Sequence, residues 1–205
     1  MYLRCPAQYY YRYIMGLKVP PASAASFGIA THRAIEHNYK QKIESREDLP
    51  TDVVQDAWAD AWNEIAETTA FEENEDPGQI KDEGVKVAAL YMGEVAPTVQ
   101  PVLVEHDFLI PIEGTDIRFR GIIDVVDERN VIHDAKTTKR SPDQDAISTS
   151  QQMTAYAIGH RAILGMQETG LRMEYMVRTK TPKIVTLEAG PRTDAEVNRL
   201  IKTVS

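Results

Sequence analysis

The sequence predicts an α/β fold, a mixed central sheet flanked by helices with a helical region on its N-terminal side. Three observations predict it. Residues 101–138 hold three consecutive β-patterned runs separated by turn residues, as in an antiparallel meander. Residues 146–165 then switch to helical spacing before two further β-patterned runs at 172–179 and 183–188, so a helix crosses over to another strand of the sheet. Ahead of the meander, residues 23–44, 51–70 and 78–95 carry apolar side chains at helical spacing.

At 205 residues and 42% hydrophobic content, the chain suits one domain spanning 1–205, with a helical lobe at about 44–98. It has no apolar run of about eighteen residues and no charged-then-apolar leader. The expectation is a soluble cytoplasmic protein with no membrane partner. The single cysteine, Cys5, excludes an internal disulfide. Net charge is −8, which suits a polyanion partner poorly, but the distribution is uneven. Residues 44–94 hold 15 acidic and 3 basic side chains, whereas residues 1–43 hold six basic and one acidic. The acidic lobe reads most simply as a solvated helical surface, which leaves the N-terminal region and the run Lys136–Arg140 to face any polyanion.

The opening stretch interleaves Tyr2, Tyr9, Tyr10, Tyr11 and Tyr13 with Arg4 and Arg12. Rings beside arginines can stack bases and touch phosphates; an amphipathic helix docking those rings on the core explains them equally well. After Pro20-Pro21, Ser23 is the expected N-cap of a helix running to about Glu44. Gly28, His32, Ile35, Tyr39 and Ile43 share one face of it, and a histidine on such a stripe is either a satisfied core residue or a ligand. In 51–70 the apolar face is Val54, Trp58, Trp62 and Ile65, and FEENEDPG is an acidic loop before the next helix. No chemistry is assigned to this lobe.

Pro101–Glu113 alternates as a strand, and Gly114-Thr115-Asp116 turns it into the next run. There, Arg120, Ile122, Asp124 and Val126 are expected on one face, with Phe119, Gly121, Ile123 and Val125 on the other. In the following run Asp134 and Lys136 share a face and Ala135 opposes them. Asp124 can lie beside Asp134 in an antiparallel hairpin only if the loop is odd in length. Glu128-Arg129-Asn130 provides three residues, and Asn tolerates the positive φ that such loops need at their last position. Two carboxylates side by side repel, so a proton or a cation must join them. Oxygen ligands favour a hard divalent ion, Mg²⁺ or Mn²⁺, to which the Ala135 carbonyl could add a ligand. Lys136 offers a positive charge for a phosphate. Without further context, Asp and Lys two apart on a strand also describe a solvated edge, and Asp127 reads as a turn residue. From 146 to 165, Gln152 and Tyr156 project from one helical face, one turn apart, either as groups bordering a site or as a surface amide and a core ring. Thr181-Pro182 joins the last two strands, and Thr193–Val204 is a short helix.

Four motifs occur in order: Gly28–His32 (GIATH), Gly121–Asp124 (GIID), Asp134–Lys136 (DAK) and Gln152–Tyr156 (QMTAY). Each is weak alone. Their order resembles that of the PD-(D/E)XK nuclease superfamily, and within it the RecB-like exonuclease branch, over about residues 1–188. The resemblance implies a restriction-endonuclease-like core and metal-dependent hydrolysis of DNA, with Asp124, Asp134 and Lys136 as catalytic residues. It implies His32, Asp124, Asp134 and the Ala135 carbonyl as metal ligands for Mg²⁺ or Mn²⁺, the imidazole suiting Mn²⁺ better. Gly28 would be the small residue allowing close helix contact, Gln152 and Tyr156 would border the site, and Glu105 is a candidate to approach it from the neighbouring strand. DNA would be the partner, beside a helicase or recombination protein, in a bacterial or phage setting. C-P-x-x-Y at Cys5 also resembles branch members that hold an iron–sulfur cluster through four cysteines. The other three are not in this sequence, so no cluster is predicted, and Cys5 reads as either the mark of a fragment or a small core residue. A non-catalytic DNA-binding scaffold, a partner-binding domain and a small-nucleotide phosphoesterase are the alternatives to a nuclease.

Overall fold

The computed structural model describes residues 5–111 and 118–204; Tyr2, Arg4 and the expected turn Gly114-Thr115-Asp116 lie outside them. The first described segment is one α-helical turn, α1 (Pro6–Tyr9), continued by a π-helical turn at Tyr10–Ile14. Neither turn buries a side chain, and Tyr10, Tyr11 and Tyr13 are about half exposed. The rings of Tyr10, Tyr11 and Tyr13 are therefore not docked on the core, and Cys5 is half-buried at the head of α1 instead of a core residue.

Helix α2 (Ser23–Ser45) is the spine of the N-terminal region. Its cap residue is Ala22, not the expected Ser23, because the Ser23 hydroxyl is committed to Glu75 Oε1 at 2.5 Å. The buried stripe runs Phe27, Ala30, Thr31, Ala34, Ile35, Asn38, Tyr39 and Lys42. It is rotated from the expected face, so Gly28 and His32 lie on its margin and Ile43 is exposed. Helix α3 (Thr51–Ala66) lays Val54, Trp58, Trp62 and Ile65 against α2, with the two indoles stacked at 5.6 Å. Helix α4 (Pro77–Glu94) starts where the Asp76 carboxylate accepts from Gly78 N and Gln79 N, with Pro77 in the first turn. No helix among the described residues is long and apolar enough to cross a membrane.

The five strands β1 (Pro101–Pro111), β2 (Arg118–Asp127), β3 (Val131–Thr138), β4 (Gly170–Val177) and β5 (Lys183–Ala189) form one sheet in chain order. Only β3 and β4 are parallel. The connection between them holds α5 (Ala146–Thr149) and α6 (Gln151–Leu164), and α7 (Asp194–Val204) follows β5. The expected single helix over 146–165 is broken at Ser150, whose extended backbone lets its hydroxyl accept from Met153 N and start α6 afresh. One core lies between the sheet and α2–α4, around Phe27, Tyr39, Trp58, Trp62 and Tyr91. The other lies between the sheet and α6, around Ile123, Ile132, Met153 and Leu171.

Phe108 fills the second core. A Cβ on Gly121 would come within 2.4 Å of its ring, and one on Gly159 of α6 within 2.5 Å. Both positions therefore require glycine for steric reasons.

The faces of β2 differ from the expected alternation. Ile123 and Val126, three residues apart, both pack in the α6 core, as does Phe119, while Val125 packs in the helical core. Next door in β1, Glu105 has φ +48°, although the ladder with β2 keeps its register from Val104↔Val125 to His106↔Ile123 and shifts only between Pro101 and Leu103. Side-chain parity changes at Glu105 and Asp124 together.

Candidate active site

The β2–β3 hairpin forms as its loop chemistry demands. Asn130 has φ +66°, and Val125 pairs with His133 and Val126 with Ile132, the register that sets Asp124 opposite Asp134. Those two pairs are the whole described ladder, so the strands are not paired where the carboxylates sit.

Three side chains from three elements converge there. His32 Nδ1 of α2 is 3.4 Å from Asp124 Oδ2 of β2 and 3.8 Å from Glu105 Oε1 of β1. One potential ligand atom from each lies within 4.8 Å of the others. The parity change explains how Asp124 reaches this group, since its other oxygen, Oδ1, accepts from Tyr156 of α6 on the opposite side of the sheet. Burial by itself would lower the His32 pKa; the nearby Glu105 carboxylate and the Asp124 charge outweigh it and raise it.

Asp134 is fully buried, and Lys136 donates to its Oδ1 at 2.8 Å. Burial raises its pKa to about 6, against the attraction of Lys136 and with help from the Asp124 charge. Burial likewise raises Asp124, opposed by His32 and Lys136. Asp124 Oδ2 and Asp134 Oδ2 are both buried without a hydrogen-bond partner among the described residues. An orphaned carboxylate oxygen is costly, and two of them with an imidazole nitrogen and Glu105 form the donor set of a divalent cation. The residues present thus fit a metal. The group that lies within mutual reach is His32, Glu105 and Asp124; Asp134 is not part of it, and Glu105, expected only as an approaching residue, is.

Gln152 and Tyr156 meet as their spacing predicts, with Gln152 Nε2 donating to Tyr156 Oη at 2.7 Å. The phenol then donates to Asp124 Oδ1 at 3.0 Å, so the pair reaches the Asp124 carboxylate. Burial, and then the charges of Asp124 and Asp134, push the Tyr156 pKa up, which keeps it a donor. Gly28 faces β3, where a Cβ would lie 3.6 Å from Thr137 Oγ1, an ordinary contact. The Ala135 side chain lines the cavity between α2 and the sheet.

Sequence reasoning missed a second cluster, across the same cavity. His133 Nδ1 is 2.8 Å from Glu174 Oε1 of β4, and His133 Nε2 is 3.4 Å from Asp127 Oδ2. Arg172 Nε lies 3.1 Å from the same Glu174 oxygen. Burial would lower the His133 pKa, but the Asp127 and Glu174 contacts raise it. Asp127 is held down to about 2: burial opposes this, while His133, Val131 N and Arg129 outweigh it. Asp127 is thus the expected turn residue, and also an anchor for His133. The available signal was Glu174 within the apolar run MEYMV, since a buried charge needs a partner. One cavity is lined by His32, Glu105 and Asp124 on one side and by His133 and Glu174 on the other.

A family model described as the PD-(D/E)XK nuclease superfamily matches residues 1–205. Among solved structures, one described as a "Putative exonuclease" from Eubacterium rectale is similar, with a TM-score of 0.56 and 12% identity over 94% of this chain and 68% of that one. At that identity the likeness concerns the fold. The structure of SSO0001 aligns over 91% of this chain and 75% of its own at 14% identity, but its TM-score of 0.38 adds nothing to the argument. No curated protein matches the chain.

Proposed function

Because the chain belongs to the PD-(D/E)XK nuclease superfamily, which matches its whole length, we propose that it is a Mg²⁺- or Mn²⁺-dependent deoxyribonuclease. On the RecB-like resemblance of its four motifs it acts as an exonuclease, in DNA repair, recombination or phage DNA processing. The same resemblance supports a bacterial or phage cytoplasmic setting, with a helicase or recombination protein as partner.

The observation that carries this reading is the convergence of His32, Glu105 and Asp124, with Asp124 Oδ2 and Asp134 Oδ2 buried without hydrogen-bond partners among the described residues. His32, Glu105, Asp124 and Asp134, with the Ala135 carbonyl, would hold the cation. When bound, it would lower the pKa of a water and offset the charge that develops on the phosphate. Lys136, ion-paired with Asp134 at 2.8 Å and partly exposed, orients the attacking water and neutralises charge on the pentacoordinate transition state. Tyr156, held by Gln152, fixes the Asp124 carboxylate through Oδ1 and leaves Oδ2 free for the cation. A water oxygen joins phosphorus, the ester bond breaks, and the leaving oxygen departs with a proton.

The test is degradation of end-labelled single- and double-stranded DNA with Mg²⁺, Mn²⁺ or EDTA, comparing the protein with Lys136→Ala and Asp134→Ala. Metal-dependent cleavage lost in both variants is expected, with a product ladder that shows polarity. DNA that is bound but never cut, with either metal, would replace this reading with that of a non-catalytic scaffold.

A further inference from the structure

The segment Cys5–Val19 has no counterpart in the chemistry above, yet it exposes more aromatic surface than any other stretch of the described chain. Tyr10, Tyr11 and Tyr13 are 49%, 55% and 55% exposed, and Leu17 and Val19 also face solvent. Exposed apolar surface on this scale marks a binding site. An open groove is lined here by Tyr11, Arg12, Tyr13, Leu17, Lys18 and Val19. Arg12 lies over the Tyr13 ring, 5.8 Å from its centroid. No Asp or Glu occurs before Glu36, although the whole chain carries −8. The segment is a basic, aromatic arm on an acidic body.

The arm is rooted near the candidate active site. Its chain enters α2 beside Ala70, with Ala70 N donating to Pro21 O at 2.9 Å. Five residues into α2, Gly28 lies against Thr137 of β3, and Lys139 acts on Glu75, the partner of Ser23. The run Lys136–Arg140 therefore follows the first turns of α2 from the site toward the arm's root, with Lys139 and Arg140 exposed.

We propose, resting on the nuclease reading above, that the arm and the run Lys136–Arg140 form one binding strip for single-stranded DNA. The cations meet the backbone, and Tyr11 and Tyr13 stack on bases. Stacking of this kind needs bases that are not already paired and stacked, so the strip selects single strands over duplex. It delivers a strand toward Lys136 and the carboxylates at the end of β3.

The test measures binding of a labelled oligo(dT) by fluorescence anisotropy in EDTA, where no metal-dependent cleavage competes. Tyr11→Ala/Tyr13→Ala is expected to weaken binding by about tenfold or more, since a base–ring stack commonly supplies that much. Tyr11→Phe/Tyr13→Phe keeps the rings and is expected to stay within about twofold. Arg12→Ala and Lys139→Ala should each lower the salt dependence of log K by about 0.7. They provide a second route if the tyrosine variant misfolds, which thermal melts would reveal. Unchanged affinity in these variants overturns the proposal. So does an equal loss on blunt duplex, or a monomer–dimer equilibrium abolished by Tyr11→Ala/Tyr13→Ala, which would make the arm a contact between copies. The nuclease reading fails separately, if the unmodified protein binds oligo(dT) through the arm yet cuts no DNA with Mg²⁺ or Mn²⁺.

Discussion

Two buried charged clusters border the cavity between α2 and the sheet, and they differ in charge balance. At one end, the carboxylates of Asp127 and Glu174 meet His133, Arg129 and Arg172, so that basic side chains are at least as many as carboxylates, although Glu174 Oε2 has no hydrogen-bond partner among the described residues. At the other end, Asp124, Glu105 and the adjoining Asp134 meet one lysine, Lys136, and the imidazole of His32. Asp124 Oδ2 and Asp134 Oδ2 there have no hydrogen-bond partner among the described residues. A matched cluster offsets its own burial with groups of the chain, whereas one short of positive charge leaves a cost that a cation or a proton from outside can remove. Adjacent residues, His133 and Asp134, thus differ in role because their surroundings differ in charge balance.

The comparison breaks most sharply through activity. Asp134→Asn and Lys136→Ala should each reduce DNA cleavage by about a hundredfold or more. Asp134→Asn should leave the metal-free protein at least as stable as before in urea denaturation. His133→Ala should do the converse on stability, leaving Asp127 and Glu174 buried without their shared partner at a cost of roughly 3–5 kcal/mol. Equal stability losses at 133 and 134 would erase the distinction.

pH sharpens it. In the metal-free fold Asp134 holds its proton up to about pH 6, against about 3.9 in an unfolded chain. The folded state binds that proton more tightly, so the stabilisation is complete below about pH 4 and is lost as pH rises through about 6. Its size is up to about 3 kcal/mol. Melting temperatures of the metal-free protein should fall across this interval, and saturating Mn²⁺ or Asp134→Asn should flatten the dependence.

Smaller effects follow from the supports. Tyr156→Phe removes the donor to Asp124 and should weaken metal affinity by roughly tenfold in calorimetric titration, with a small change in melting temperature. Gly28→Ala should stabilise the protein by about 0.5–1 kcal/mol in urea denaturation, because the helix favours alanine and the added methyl makes only an ordinary contact with Thr137.

The hairpin was legible because local chemistry dictated it: Asn130 at the end of a three-residue loop sets the register of Asp124 and Asp134. The Gln152–Tyr156 pair was legible from helical geometry, although its target, Asp124, was not. Glu105 and the faces of β2 were harder, because a left-handed non-glycine residue within a strand has no sequence signature and shifts every side chain beyond it. The His133–Glu174 contact joins residues 41 apart through a parallel pairing, and period-2 alternation cannot supply the register of such a pairing. The arm was read with two outcomes open, and exposure decided against docking on the core for Tyr10, Tyr11 and Tyr13.

The ring of Phe108, caught between Gly121 and Gly159, ties three distant positions into a single unit of inheritance. Gly121 opens the GIID motif, but what forbids a side chain there is a neighbour's bulk. A lineage could therefore abandon that glycine without touching the chemistry, provided residue 108 shrank first. Taken in the reverse order, the same two steps pass through an overpacked intermediate.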